Sequence, residues 1–181
     1  MSSTLKVDIL QDSGANNIIA SDGSGNLTTQ KILYPSFLAY LSAEQDVTDA
    51  VDTKIQFDTE VYDTDNAYDN STNYRFTPQV AGKYWVYGTV MTLQDSASNL
   101  QQPRIYVYKN GSQITREQTN YSNNNINNTS ISTQIVLDLN GSTDYVELYG
   151  RVDTVSGGNP SFYGTSSTPY RSYFGAYRIG D

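Results

Sequence analysis

From Pro35 onward, apolar and polar residues alternate with a period of two, the pattern of strands that bury one face. The runs are Phe37 to Leu41, Lys54 to Tyr62, Tyr74 to Thr77, Lys83 to Leu93, Arg104 to Lys109, Ile131 to Leu139, Asp144 to Asp153 and Tyr173 to Ile179. No window keeps the 3.6-residue period of a helix. Turn residues separate the runs. Pro78 stops one strand because it has no amide hydrogen to give a ladder, and Ala81-Gly82 makes the next corner. Asn110-Gly111 is the strongest hairpin signal, since both central residues of a type I′ turn take positive φ; Asn140-Gly141 is a second such corner. Closely spaced strands with turn signals between them predict an all-β, two-sheet sandwich.

The run from Lys83 to Leu93 departs from the rule. Tyr84, Val86 and Val90 fall on one side, and Trp85, Tyr87, Met91 and Leu93 on the other, so both alternating sets are apolar or aromatic. A strand wetted on one face would carry polar residues at every second position. Both faces therefore need cover, one from the core of the domain and one most simply from another copy of the chain.

Residues 1–33 read differently from residues 34–181. Leu5, Val7 and Ile9 alternate with Lys6 and Asp8, Ile18 and Ile19 make a second stub, and Ser21 to Asn26 is a turn cluster. So few apolar residues cannot build a core alone, which predicts an extended N-terminal arm that orders by docking on a partner; a disordered polar leader is the alternative. The head domain then occupies residues 34–181.

Composition narrows the function. Sixteen Tyr and 5 Phe move burial onto large amphipathic rings. The net charge is −8 and the 11 basic residues are scattered, so the basic stripe of a nucleic-acid binder is missing. No apolar run approaches the ~20 residues that span a bilayer, and MSSTLKVDIL lacks the regions of a signal peptide. Cysteine and histidine are absent, which removes disulfides, thiolate chemistry, most transition-metal sites and His-based triads. Carboxylate pairs occur at Asp63 with Asp65, Asp58 with Glu60 and Asp138 with Asp144, but nothing sets them across a groove as glycoside hydrolysis requires. No enzyme and no cofactor is expected. Asp63, Asp65 and Asp69 are weak calcium candidates, with an ordinary Asp/Asn turn as the alternative. The Asn/Ser-rich loop from Gln118 to Ser132 and the connection at residues 156–171 are exposed tips. Their Tyr121, Asn124, Tyr163 and Tyr170 are candidates for contacting a glycan or protein surface.

Several motifs in order carry a family resemblance. They are PSFLAYLS (35–42), IQFDTEVYDTDNAYDNSTNYRFTPQVAGKYWVYGTV (55–90), RIYVYKNG (104–111), STQIVLDLNGSTDYVELYGRV (132–152) and SYFGAYRI (172–179). Together they resemble the globular head of complement C1q, within the tumour-necrosis-factor-like superfamily. The signatures fall at Tyr68-Asp69, Phe76, Pro78, Gly82, Tyr84, Val86 and Phe174-Gly175; Gly141 to Asp144 is a small insertion, and one expected aromatic is moved to Tyr87. The resemblance implies a ten-stranded jelly roll that forms a homotrimer with aromatic residues along the threefold axis. Tyr84, Trp85, Tyr87, Met91, Phe174 and Tyr177 are the interface candidates it suggests. The phrases SSTLKVD and SDGSGNLT resemble the leader of small virion proteins of marine tailed bacteriophages. On that resemblance the expected protein sits on a virion surface without membrane insertion, decorating the capsid through an arm bearing Leu5, Val7, Ile9, Ile18 and Ile19. The alternative is a tail-fibre or spike tip that binds a host-surface glycan or protein.

Overall fold

The computed structural model describes residues 9–15, 17–21, 23–24, 27–29, 35–94, 99–155 and 158–180. The chain divides into two compact units, Met1–Tyr34 and Pro35–Asp181. In the first, β1 (Ile9–Gln11), β2 (Asn17–Ser21) and β3 (Leu27–Thr29) form an antiparallel meander. The Asp12 carboxylate accepts the Gly14 amide at 2.8 Å in the turn after β1. Leu5, Val7 and the side chain of Ile18 lie outside the described residues.

The second unit is a sandwich of two antiparallel sheets. The first contains β4 (Ser36–Tyr40), β5 (Gln45–Asp46), β7 (Thr59–Asp63), β10 (Ala81–Gln94), β13 (Asn128–Asn140), β15 (Pro160–Phe162) and β16 (Tyr173–Gly180). The second contains β6 (Thr53–Lys54), β8 (Tyr68–Asp69), β9 (Arg75–Phe76), β11 (Leu100–Lys109), β12 (Ser112–Gln118) and β14 (Val146–Thr154). The spine of the first sheet is β10, which pairs without a break with β13 from Ala81↔Asn140 to Leu93↔Asn128. On its other side it meets β16 along Lys83–Thr89 and β15 along Thr92–Gln94.

Phe37 lies at the centre of the core. Its ring stacks on Tyr68 and on Phe76, each at 4.6 Å, and meets Phe174 edge-on at 4.9 Å, with Phe76 in turn against Tyr84 at 5.6 Å. These rings come from both sheets, and offset or edge-on aromatic pairs add about 0.5–1.5 kcal/mol each beyond the area they bury. Buried hydroxyls need partners: Tyr68 donates to the Phe57 carbonyl at 3.0 Å and Tyr84 to the Val80 carbonyl at 2.6 Å. Gly88 faces inward from β10, where a Cβ would collide with the Leu148 side chain of the opposite sheet. Its missing side chain lets the two sheets close.

Several expectations need correction. The run Lys54 to Tyr62 is not one strand: β6 pairs with β14 and β7 with β4, in different sheets. Ile55 and Phe57 between them are fully buried, so their alternation records a crossing through the core. The crossing is tied by Asp58, which accepts the Ser42 amide at 2.9 Å and hydroxyl at 2.7 Å. Asn110-Gly111 does form the predicted turn, with φ of 53° and 76°, and leads into β12, a strand the apolar pattern did not reveal because SQITREQ is polar and mostly exposed. Asn140-Gly141 is not a hairpin corner. Only Gly141 has positive φ there, and Asn140 Oδ1 instead accepts the amides of Ser142, Thr143 and Asp144 at 2.9–3.0 Å, carrying the chain from β13 to β14.

Candidate interaction face

The strand order β13-β10-β16-β4-β7 sets rows of side chains across the outer surface of the first sheet. One row reads Val136, Trp85, Tyr177 and Ser36; the next reads Gln134, Tyr87, Gly175, Leu38 and Tyr62. Because side chains alternate across a strand, these residues share the face opposite the core. Trp85 packs edge-on against Tyr177 at 5.2 Å and lies 5.5 Å from Tyr87, which in turn meets Tyr173 and Tyr177, each at 6.5 Å. Tyr177, Tyr62 and Val136 keep 37%, 43% and 49% of their surface exposed. Trp85, Tyr87 and Met91 are half-buried.

Gly175 seats the Tyr87 ring. A Cβ at position 175 would stand 2.5 Å from both Cζ and the hydroxyl of Tyr87, so only a bare backbone lets that ring lie flat toward β4. There its hydroxyl lies near Tyr62. Burial, reinforced by Tyr62, pushes the Tyr87 phenol up to about 12. It is therefore uncharged at ordinary pH. Beside it a groove of about 550 Å³ runs over Trp85, Tyr87, Thr89, Ser132 and Tyr173, with Glu117 at its rim.

This geometry divides the six interface candidates. Trp85, Tyr87, Met91 and Tyr177 project outward. Tyr84 and Phe174 have no exposed surface and belong to the inward set with Val86 and Val90, so they are corrected to core residues. Two residues that sequence reasoning missed, Tyr62 and Val136, complete the face. Their only signal was an apolar residue amid polar neighbours, which becomes informative once the strand order is known.

The calcium candidates serve the backbone instead. Asp63 accepts the amides of Asp65 at 3.1 Å and Tyr68 at 2.7 Å. Asp69 accepts the amides of Ser71, Thr72 and Asn73 and the Asn73 side chain at 2.7–3.1 Å. Among the described residues no group of three acidic side chains is placed to hold a metal. The Thr72 amide, followed by those of Ser71 and Asn73 and the Asn73 side chain, holds the Asp69 carboxyl well below the usual carboxylate range. A carboxylate whose pKa is lowered by folding contributes stability above its unfolded value of about 3.9, and that contribution is lost as pH falls through the folded value. Asp69→Ala is expected to cost about 1–2 kcal/mol at pH 7 and less at pH 2, read from denaturant midpoints at the two pH values.

The loop candidates lie around the Gln94 end of β10. Tyr121 leans on the core with its hydroxyl 3.2 Å from that of Thr129, while Asn124 is exposed and donates its amide to the Tyr121 carbonyl at 2.8 Å. A shallow groove of about 370 Å³ runs along residues 120–124 and Ile126. Tyr163 donates its amide to Met91 at 2.8 Å, and Tyr170 covers one ring face by stacking on Tyr40 at 4.1 Å. Tyr121 and Asn124 thus share one groove, whereas Tyr170 is already spent on an intramolecular stack.

A model of the C1q domain family matches residues 36–166. Among solved structures, the globular domain of zebrafish complement 1qA protein superposes with a TM-score of 0.53 at 17% identity, covering 80% of this chain and 96% of that one. Murine APRIL, crystallised at pH 8.5, superposes with a TM-score of 0.52 at 12% identity, covering 81% and 99%. Comparison with curated protein sequences finds no match. Domains of the C1q and tumour-necrosis-factor-like kind typically form homotrimers and are typically non-enzymatic ligand-binding or structural modules.

Proposed function

Because the chain belongs to the C1q domain family, we propose that it is a non-enzymatic homotrimer on a virion surface, decorating the capsid through its N-terminal unit while the head projects outward. The trimer is carried by one observation: Trp85, Tyr87 and Tyr177 form an aromatic face that a single chain leaves partly open. Large apolar patches on an otherwise acidic, polar surface mark interaction sites. The virion setting is supported by the phage-like phrases SSTLKVD and SDGSGNLT and by a cysteine-free composition.

Removal of residues 1–33 is expected to abolish co-sedimentation with particles while leaving the head soluble. Retained binding would defeat the docking role. Abundance in purified particles tests the setting directly. A copy number comparable to the shell protein supports decoration, and complete absence removes the virion reading.

The groove along Tyr121 and Asn124 favours a second reading, a tail-fibre or spike tip that binds a host-surface glycan or protein. It requires a copy number far below that of the shell protein, together with loss of host binding in Tyr121→Ala.

A further inference from the structure

The three strands β1, β2 and β3 make a sheet of their own. Its register sets Ile9 opposite Ala20 and Leu10 opposite Ile19. Since successive residues of a strand point to opposite faces, one face carries Ile9 with Ala20 and the other Leu10 with Ile19. Ile9 and Leu10 remain 50% and 48% exposed. Each face of this sheet therefore presents uncovered apolar surface. A sheet this small needs a hydrophobic face packed against something to be stable.

The two-sided exposure argues for the kind of partner. A shell surface meeting the sheet from one side leaves the other apolar face in water. In a cyclic trimer each copy meets two neighbours through heterologous contacts, one for each face. Charge agrees, because none of the residues in β1, β2 or β3 is charged. Strand edges meant to stay solitary are usually guarded by lysine or by inward-pointing charges. Because the meander and the head belong to one chain, a trimer of heads would hold three meanders at high effective concentration.

We propose that the β1, β2 and β3 strands of three copies associate with one another into a single threefold β-structure, the Ile9 face of each meeting one neighbour and the Leu10 face the other. This rests on the trimeric reading of the head. The two are separated by spin-labelling the full chain at Ser13→Cys, in the exposed turn after β1, where the absence of native cysteine makes the label unique. Mass is measured by sedimentation and interspin distance by pulsed dipolar spectroscopy. The expected result is a trimeric mass with one narrow distance, and loss of that narrow peak in Leu10→Asp and in Ile9→Asp without change of mass. A trimeric mass with a broad distribution overturns the inference alone, as does a narrow peak that either substitution leaves intact. A distribution that narrows only when particles are added overturns it in favour of docking on another protein. A monomeric mass overturns the trimer reading beneath it.

Discussion

Tyr87→Asp is expected to convert the proposed trimer into folded monomers. The ring of Tyr87 lies over Gly175 in the middle of the outer face, among Trp85, Tyr173 and Tyr177. A carboxylate there has no basic partner in its row, which reads Gln134, Gly175, Leu38 and Tyr62. Leaving a buried charge unpaired costs about 3–5 kcal/mol, and a closed trimer repeats each contact three times. The total, roughly 9 kcal/mol or more, removes association at micromolar concentration. Tyr87→Phe is the control. It keeps the ring over Gly175, loses only the hydroxyl and stays trimeric. Sedimentation velocity gives the mass and circular dichroism the fold; a Tyr87→Asp protein that remains a trimer at micromolar concentration rules this face out as the interface. The same logic sets an alkaline limit. Burial favours the neutral phenol, so its contribution is full below the unfolded pKa of about 10 and is lost as pH rises through about 12, where Tyr87 ionises in the folded chain.

The sequence made the two-sided nature of β10 legible because period-two alternation is a local property. Which side faces out is not local. It depends on Gly88 admitting Leu148 on the inner surface and on Gly175 making room for Tyr87 on the outer one, and both contacts join residues far apart in sequence. Tyr84 and Trp85 look equivalent as letters, but one is sealed in the core and the other half-exposed. The errors have related causes. Ile55 and Phe57 keep strand alternation while crossing between sheets, and β12 was hidden because an edge strand needs no apolar face. The aspartates of 63–69 matched metal spacing, yet short turns use the same oxygens for their own amides. Tyr170 read as a free contact residue until its partner Tyr40, 130 positions earlier, came beneath it.

Phe37→Ala is expected to be the most damaging single change to the fold. Truncating a buried phenylalanine costs about 3–5 kcal/mol from lost transfer energy and the cavity left behind. Phe37 stands at the upper end of that range because its ring touches Tyr68, Phe76 and Phe174 at once. It also sits in β4 opposite Ala176 of β16 and Asp63 of β7, so its loss loosens the strands that carry Leu38, Tyr177 and Tyr62 on the other side. The measurement belongs in the Tyr87→Asp background, where unfolding is expected to be unimolecular and free of the concentration dependence of an oligomer. A denaturant midpoint lowered by less than the equivalent of about 2 kcal/mol would show that the ring cluster collapses around the vacancy. A full loss would make the aromatic core and the outer aromatic face two surfaces of one mechanical unit. In that case Phe37→Ala introduced into the otherwise unsubstituted chain should also weaken the trimer, although residue 37 never reaches the interface.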